Sequence, residues 1–309
     1  MLPVTLWVHR AIVFVVLAIF HFWSPLDALN KLAPIDKVTV LHDVRYGDGP
    51  HHTLDIYLPK QANATMPVVV YFFGSAWFTG SKDWYQFIGV GLAETGVIVA
   101  MPDYRAYPDV PSPGFMDDAA AATVWVRSHI ATFGGDPRRV FLAGHSSGAH
   151  IAALLALDPE YLRSVNMTPG DICAVVGVSG PYDYEAPRSV PKYLAEYEQV
   201  FGDPSHWASV SPIRYATKHA PPMLLMAGTD DRGVDPDHSV RLATRLQSVG
   251  AHADAILYPG LNHQGMVLAF SDMLDFLAPV RADIRRFVAA QGTCLRDERT
   301  NPLRNVNPG

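Results

Sequence analysis

Short apolar runs that alternate with helix-forming runs constrain the fold of this 309-residue chain more than any other feature. Continuous apolar runs are typical of strands in a parallel sheet, because such a sheet is covered on both faces. Six such runs stand at residues 68–73, 97–101, 140–143, 174–178, 223–227 and 255–258. Helix-forming runs separate them, at residues 85–94, 116–131, 147–157, 236–249 and 272–290. With an antiparallel pair at residues 38–44 and 53–58, the pattern predicts an α/β fold with an eight-stranded, mostly parallel sheet and helices on both faces.

The composition supports one large domain of this kind. Apolar residues make up 49% of the chain and charged residues 17%, which allows a large core and argues against wholesale disorder. We predict the domain over residues 36–291, with a small cap at residues 182–219, a stretch rich in proline and aromatic residues. Residues 1–35 would be an apolar segment and a linker, the linker at residues 25–34. Residues 292–309 would be a polar tail.

The N-terminus contains an unbroken apolar run at residues 11–20, preceded by His9 and Arg10. Its length matches the core of a signal peptide, although bulky residues follow where a cleavage site needs small ones. An uncleaved anchor, a signal peptide with a poor site, and an apolar helix lying on the domain or on a membrane are the alternatives. We expect export or membrane anchoring, in the periplasm or cell envelope, with a cytoplasmic location as the alternative.

Charge and cysteine content exclude several classes of function. The net charge of −6 and the lack of a long basic run argue against a nucleic-acid partner. The two cysteines, Cys173 and Cys294, do not form a disulfide framework. We expect Cys173 to be a small buried residue, with a bridge to Cys294 as the less favoured alternative. No cysteine or histidine cluster has zinc spacing, so neither a metal nor a cofactor is predicted. The oligomeric state is left open.

The five residues Gly144-His145-Ser146-Ser147-Gly148 join a predicted strand to a predicted helix. In that setting Gly-x-Ser-x-Gly indicates a nucleophile elbow, in which a tight turn exposes the serine hydroxyl at the edge of the sheet. Glycine is needed at the flanks because a Cβ atom there would collide with neighbouring backbone. The helix N-terminus beneath the turn favours negative charge. Ser146 is therefore the candidate nucleophile.

A serine nucleophile needs a base, and the base needs a carboxylate that orients it. In an α/β sheet of this kind they follow in the order Ser, Asp, His, on loops at the carboxyl ends of strands. Asp231 follows the strand at residues 223–227 and is the best candidate acid, with Asp230 as the near rival and Asp235 as a distant one. His263 follows the last strand and is the best candidate base.

The oxyanion of the tetrahedral intermediate needs hydrogen-bond donors. We expect one from the backbone N–H of Ser147 and another from the loop after the strand at residues 68–73, where Ser75 and Ala76 are the candidate donors. An ordinary glycine turn is the alternative for this loop. Candidate substrate-binding residues are aromatic or imidazole side chains near these loops, and core packing is the alternative for each: Trp77, Tyr104, Tyr107, His145 and Tyr182. His150 either supports the elbow or is a core histidine with satisfied hydrogen bonds.

On these motifs the chain resembles a serine esterase of the α/β-hydrolase superfamily. It is most similar to the carboxylesterase group of kynurenine formamidase-like, isoprenylcysteine methylesterase-like and feruloyl-esterase-like enzymes. The resemblance extends over residues 38–290 and is carried by the elbow, the loops of Asp231 and His263, and the segments at residues 54–57, 73–77, 103–105, 134–137 and 179–180. It implies hydrolysis of a small-molecule carboxylic ester through an acyl-enzyme, and it does not identify the ester.

The loop at residues 73–77 departs from the pattern of the group. That loop usually begins His-Gly-Gly, whereas here Phe73 stands in place of the histidine, and Ser75 and Ala76 stand in place of glycines. Backbone donors survive such changes if the required φ and ψ angles can be adopted. An amidase, peptidase or formamidase with the same triad is an alternative function. A non-catalytic ligand-binding member of the fold is a second alternative.

Overall fold

The structure is a computed structural model and describes residues 25–60, 65–78, 80–184 and 194–292. Its strands form one eight-stranded sheet in the order β1-β2-β4-β3-β5-β6-β7-β8. Their bounds are β1 Val38–Arg45, β2 Thr53–Pro59, β3 Met66–Phe72, β4 Ile98–Pro102, β5 Gly135–His145, β6 Val175–Val178, β7 Met223–Gly228 and β8 Ala253–Tyr258.

The pairing of the strands confirms the predicted fold class. β1 pairs antiparallel with β2, and β2 pairs antiparallel with β4. All pairs from β4 through β3, β5, β6 and β7 to β8 are parallel. Every residue of β4, β6 and β7 is buried, as continuous apolar runs require in a sheet covered on both faces. The carboxyl ends of the parallel strands therefore lie along one edge, where the candidate site residues follow them.

The described residues form nine α-helices. Their bounds are α1 Pro25–Leu32, α2 Gln86–Ala93, α3 Gly114–His129, α4 Ser147–Leu157, α5 Pro159–Ser164, α6 Leu194–Phe201, α7 Asp237–Ser248, α8 His263–Leu268 and α9 Val280–Ala290. Helix α4 coincides with the predicted range, and all eleven of its residues are buried. It packs against β5, β6 and β3 at the centre of the molecule. The elbow thus lies between a central strand and a central helix.

Two predicted segments are corrected by the structure. Residues 25–32, predicted as part of a linker, form helix α1, because Ala28 and Leu29 bury their side chains against the domain. Residues 272–290, predicted as one helix, are a 3₁₀ helix over Asp272–Leu277 followed by α9. Pro279 lies between the two and lacks the N–H that a continuous helix would need, which separates them.

Several terminal predictions fall on residues that the structure does not describe. These include the apolar run at residues 11–20 and the greater part of the predicted polar tail. No helix among the described residues is long and apolar enough to span a membrane. Cys173 is buried, as predicted, and it is disulfide-bonded, which was the less favoured alternative. Cys294, the other cysteine of the chain, lies outside the described residues.

The predicted domain and cap boundaries stay predictions. The described part of residues 182–219 contains helix α6 and two 3₁₀ helices, Pro204–Val210 and Pro212–Tyr215. Tyr197 and Phe201 of α6 contact the ring of Trp77, with ring centroids 5.4 and 4.9 Å away. This stretch therefore packs directly on the loop that follows β3.

Candidate active site

Ser146 occupies the turn between β5 and α4 in a conformation that few L-residues adopt. Its φ and ψ angles are 55° and −123°. The turn is possible only because two glycines flank it. A Cβ atom at Gly144 would lie 2.4 Å from the carbonyl group of Gly148, and one at Gly148 would lie 2.0 Å from the carbonyl oxygen of Phe72. Such close packing is expected of a nucleophile elbow. It shows that the elbow lies directly against the end of β3.

His263 and Asp231 form a hydrogen-bonded pair. The Nδ1 atom of His263 lies 2.8 Å from Asp231 Oδ2 and 3.1 Å from Oδ1. The Asp231 side chain is fully buried, and its Oδ1 atom also accepts the N–H groups of Gly233 and Val234, both at 2.9 Å. These bonds hold the carboxylate in place, so that His263 Nδ1 carries the proton and Nε2 can accept one.

The geometry favours Asp231 over its rivals as the partner of His263. Asp230 is exposed, and its Oδ1 atom accepts a hydrogen bond from the hydroxyl of Thr229 at 3.2 Å. Asp235 accepts the N–H of Asp237, in the first turn of α7. Gly233 allows the close approach of the two loops, since a Cβ atom there would lie 2.9 Å from Cγ of His263.

Ser146 and His263 line a common cavity of about 720 Å³. Loop residues 74–77 form one wall, and Leu26, Val234, Val267 and Leu268 supply apolar surface elsewhere. The size is that of a small-molecule site, and such sites are mostly apolar with a few polar groups. The remaining lining residues are Tyr85, His145, Pro181, Glu196, Tyr197, Gly233 and Gln264.

The loop at residues 73–77, here called the oxyanion loop, is held by two tyrosines. The ring of Phe73 lies between those of Tyr85 and Tyr104, with centroids 5.6 and 4.5 Å away and near-parallel planes. The hydroxyl of Tyr104 donates to the carbonyl oxygen of Phe73 at 2.6 Å, and that of Tyr85 donates to the carbonyl oxygen of Gly74 at 2.5 Å. Stacking and hydrogen bonding thus support the loop without a histidine at position 73.

The backbone amides of the oxyanion loop differ in their availability. The Ser75 N–H donates to Ser147 Oγ at 2.9 Å and so joins the loop to the elbow. In the described part of the chain, no protein group accepts the N–H of Ala76 or that of Ser147. Ala76 has φ 54° and is exposed. Gly74 lies against the nucleophile, since a Cβ atom there would be 2.9 Å from Ser146 Cβ.

Lys82 is buried and connects the oxyanion loop to two segments that carry the family resemblance, residues 54–57 and 103–105. Lys82 Nζ lies 2.9 Å from Asp55 Oδ1, and its backbone N–H donates to Asp103 Oδ1 at 2.7 Å. Lys82 opens the 3₁₀ helix Lys82–Tyr85, which carries Tyr85. Burial raises the pKa of Asp103 to about 6. The segments at residues 54–57 and 103–105 therefore help to place Tyr85 and Tyr104 around Phe73.

The predicted substrate-binding residues divide into two groups. Trp77 and His145 line the cavity. Tyr104, Tyr107 and Tyr182 do not line it. Tyr182 is fully buried and packs over Gly180, while Tyr107 packs edge-on against Phe78 at 5.4 Å. For these three tyrosines, packing within the protein is therefore a better interpretation than substrate binding.

Sequence reasoning missed the lining residues that come from outside the motif loops. They are Leu26 of α1, Tyr85, and Glu196 and Tyr197 of α6. Leu26 lies in a segment predicted as a linker, and α6 lies in the predicted cap. No local sequence signal marks them, because they reach the cavity only through the packing of distant segments.

Buried histidines behind the site are held in the neutral form. His150 Nδ1 accepts the indole N–H of Trp77 at 3.2 Å, and its Nε2–H donates to the carbonyl oxygen of Val210 at 2.7 Å. His238 Nδ1 accepts the backbone N–H groups of Tyr182 and Asp183. Burial lowers the pKa of His150 to about 4 and that of His238 to about 4. His150 is thus a core histidine with satisfied hydrogen bonds.

We expect these histidines to make the fold sensitive to acid. A pKa lowered in the folded state means that the unfolded chain takes up protons first, so stability is full above about pH 6.5 and falls as the pH drops toward about 4. Each histidine contributes a loss of up to about 3 kcal/mol. The test is urea unfolding of the His238→Asn protein, in which the asparagine keeps an acceptor near Nδ1. Between pH 6.5 and 4.5 its free energy of unfolding should fall by about 2–3 kcal/mol less than that of the wild type.

The matched control is His129→Asn, at an exposed histidine. It should retain the acid dependence of the wild type. An unchanged acid dependence in the His238→Asn variant would contradict the assignment of this loss to His238.

The described residues contain no group of three His, Cys, Asp or Glu side chains placed to hold a metal ion. The polar side chains that line the cavity include two serines, two histidines, a glutamate, a glutamine and two tyrosines, and the backbone of residues 74–77 forms one wall. This arrangement can attack a carbonyl carbon, move a proton and stabilise a developing oxyanion.

The model of the protein family BD-FAE matches residues 54–246. Among curated proteins, the chain is 35% identical over 245 residues to isoprenylcysteine alpha-carbonyl methylesterase ICME of Arabidopsis thaliana, covering 74% of this chain and 57% of that protein. It is 31% identical over 236 residues to esterase LipC of Mycobacterium tuberculosis, covering 71% and 58%. The chain thus spans a little over half the length of these curated relatives.

Solved structures with a similar fold include other esterases. A truncated carbohydrate esterase from gut microbiota superimposes with a TM-score of 0.71 at 26% identity, covering 83% of this chain and 98% of that one. Esterase B from Lactobacillus rhamnosis superimposes with a TM-score of 0.73 at 22% identity, covering 89% and 96%. These likenesses confirm the α/β-hydrolase fold.

Proposed function

This chain belongs to the BD-FAE family of α/β-hydrolases, and we propose that it is a serine hydrolase that cleaves carboxylic esters through an acyl-enzyme intermediate. The observation that carries the proposal is that Ser146, on its elbow, and His263, hydrogen-bonded to the buried Asp231, line one cavity. The three residues follow the order and positions of a Ser-Asp-His triad.

In the proposed mechanism, His263 Nε2 takes the proton of Ser146 Oγ as the oxygen attacks the ester carbonyl. Asp231 holds the imidazole in the required tautomer and stabilises the imidazolium that forms. His263 then gives the proton to the alcohol oxygen as the C–O bond breaks, which leaves an ester of Ser146. Water, deprotonated by His263, attacks this acyl-enzyme and releases the acid, and the proton returns to Ser146.

We assign the oxyanion hole to the backbone N–H groups of Ala76 and Ser147. Ala76 lines the cavity, Ser147 directly follows Ser146, which also lines it, and neither amide has a protein acceptor in the described residues. The Ser75 amide, a candidate donor on sequence grounds, is bound to Ser147 Oγ, so its proposed role is to join the oxyanion loop to the elbow. Preorganised amides of this kind stabilise the developing charge without reorganising during the reaction.

Phe73, Tyr85 and Tyr104 are proposed to replace the loop support that a histidine gives in related proteins. The stacked rings and the two hydroxyl bonds to the carbonyl oxygens of Phe73 and Gly74 fix the loop backbone. Because the donor position of Ala76 depends on that backbone, this support bears on turnover more than on substrate binding.

The substrate class follows from the cavity. Its volume of about 720 Å³ suits a small-molecule ester, and its apolar walls suit an ester with a hydrocarbon or aromatic part. Curated relatives bear names such as isoprenylcysteine alpha-carbonyl methylesterase and esterase LipC. We therefore propose a carboxylic ester of moderate size with an apolar part as the substrate of this chain.

Rates on matched esters and amides test the proposed reaction. We expect p-nitrophenyl butyrate to be hydrolysed with a kcat/KM higher by orders of magnitude than that of butyryl p-nitroanilide, because an amide needs its poor leaving group protonated as it departs. Equal rates on the two substrates would favour an amidase. A protein that hydrolyses neither and takes no label from a fluorophosphonate would be a ligand-binding member of the fold.

We further propose that the apolar run at residues 11–20 directs export or anchors the chain at a membrane. The disulfide at Cys173 supports this, because disulfides persist in oxidising compartments. Fractionation of cells that produce the full chain measures the location. Recovery in the cytosol with a free Cys173 thiol would contradict export.

A further inference from the structure

Of the described residues that line the cavity around Ser146, one is of the Asp, Glu, Lys and Arg types, and it is Glu196. Glu196 lies in the first turn of α6 and is half-buried. The walls around it are largely apolar or aromatic, and the neighbouring Tyr197 also lines the cavity. A substrate in this cavity therefore meets a carboxylate in a partly desolvated setting.

Glu196 has no ion-pair partner in the part of the chain that the structure describes. Among the described residues, no Lys, Arg or His nitrogen lies within ion-pair distance of its carboxylate. His145, the other imidazole of the cavity, is buried, and burial lowers its pKa well below the ordinary value, so it adds no positive charge at neutral pH. Asp231 lies buried behind His263 and adds negative charge. Among the described residues, the carboxylates at and behind the cavity, those of Glu196 and Asp231, are thus both negative.

Aromatic side chains that line the same cavity as Glu196 favour the same kind of ligand. Trp77 and Tyr197 both line the cavity, with their ring centroids 5.4 Å apart. Aromatic faces attract ammonium groups through the ring quadrupole, and tryptophan does so most strongly. A carboxylate with two aromatic rings is a recurring way to bind an amine or a quaternary ammonium group.

We propose that Glu196, with Trp77 and Tyr197, forms a subsite for a cationic group, so that the preferred esters carry an ammonium group and esters that carry a carboxylate are rejected. The proposal rests on the proposed ester hydrolysis at Ser146. It adds a charge requirement that neither the triad nor the oxyanion hole imposes. An ion pair at a partly buried site is less screened than one on the surface, so the preference is measurable at ordinary salt.

A pair of esters with the same shape and different charge tests the subsite. Butyrylcholine carries a quaternary nitrogen where 3,3-dimethylbutyl butyrate carries a carbon atom. We expect wild-type kcat/KM to favour butyrylcholine by about 10-fold, a preference that falls as salt is raised. Glu196→Gln keeps the size of the side chain and should lower this ratio to about 1.

Glu198→Gln is the matched control, because Glu198 lies two residues further along the same helix and is exposed. It removes the same charge from α6 and should leave the ratio at the wild-type value. A wild-type ratio near 1, or an unchanged ratio in the Glu196→Gln variant, would overturn the subsite. Equal loss in both variants would show a general effect of charge on the helix and would overturn it as well.

Binding measured without turnover separates the subsite from the reaction. Calorimetry on the Ser146→Ala protein compares choline with 3,3-dimethyl-1-butanol. Tighter binding of choline that is lost in the Ser146→Ala/Glu196→Gln protein supports the subsite even if no ester is hydrolysed. Equal binding of the two alcohols overturns it even if ester hydrolysis is established.

Discussion

Replacing Ser146 by alanine should lower the turnover number for p-nitrophenyl acetate by a factor on the order of 10⁶, if Ser146, Asp231 and His263 act as a unit. The substitution deletes the hydroxyl of Ser146, the elbow serine that lines the cavity together with His263. Without it the Asp231–His263 pair has no nucleophile to activate, and the amides of Ala76 and Ser147 can give only a small acceleration of attack by water. Steady-state hydrolysis followed at the p-nitrophenolate absorbance measures the loss.

Two checks separate this effect from unfolding. Ser248→Ala removes a hydroxyl from an exposed position at the end of α7 and should retain wild-type turnover. The Ser146→Ala protein should keep the wild-type melting temperature, since the substitution removes one hydroxyl and leaves the strained φ of 55° unchanged. Near-normal turnover in a folded Ser146→Ala protein would remove Ser146 from the mechanism.

Asp231→Asn should lower kcat by about 10⁴-fold. The carboxylate accepts the Nδ1–H of His263 together with the N–H groups of Gly233 and Val234. An amide can accept the two backbone bonds only if its oxygen faces them, and its NH₂ group then faces His263. That arrangement favours the wrong imidazole tautomer, with the proton on Nε2, so His263 can no longer accept the proton of Ser146.

Asp230→Asn is the paired control for this prediction. Asp230 directly precedes Asp231 in the chain and is exposed. Its carboxylate accepts a hydrogen bond from Thr229, whereas His263 contacts Asp231. Its substitution should change kcat by no more than a few-fold. The reverse result, with the larger loss in the Asp230→Asn protein, would show that the loop rearranges when substrate binds and that Asp230 is the orienting acid.

The sheet could be predicted from sequence because its signals are local. Buried parallel strands need apolar residues on both faces, so β4, β6 and β7 appear as continuous apolar runs. The sequence predicts helix α4 at its observed bounds because most of its residues are apolar and it begins directly after the elbow. Helix α1 was missed because its proline-flanked sequence resembles a linker, and it is Leu29, packed on the domain, that stabilises it.

The candidate site could be predicted in part for the same reason. An elbow needs glycine at positions 144 and 148, and those glycines are visible in the sequence. The order of Ser146, Asp231 and His263 follows from the order of the strands. The support of the oxyanion loop could not be predicted, since Phe73 is held by Tyr85 and Tyr104, which lie 12 and 31 residues away in the chain.

Sequence alone determined the fold class, the elbow and the residues that stand at the ends of the strands, because burial and tight turns restrict which residue types each position tolerates. Only the tertiary structure decided that Asp231 rather than Asp230 contacts His263, and that the Ser75 amide is bound to Ser147. It alone brought Leu26 and Glu196 to the cavity. Such contacts join segments far apart in the chain, and the free energy that selects them arises from packing between segments, which no local pattern of residues records.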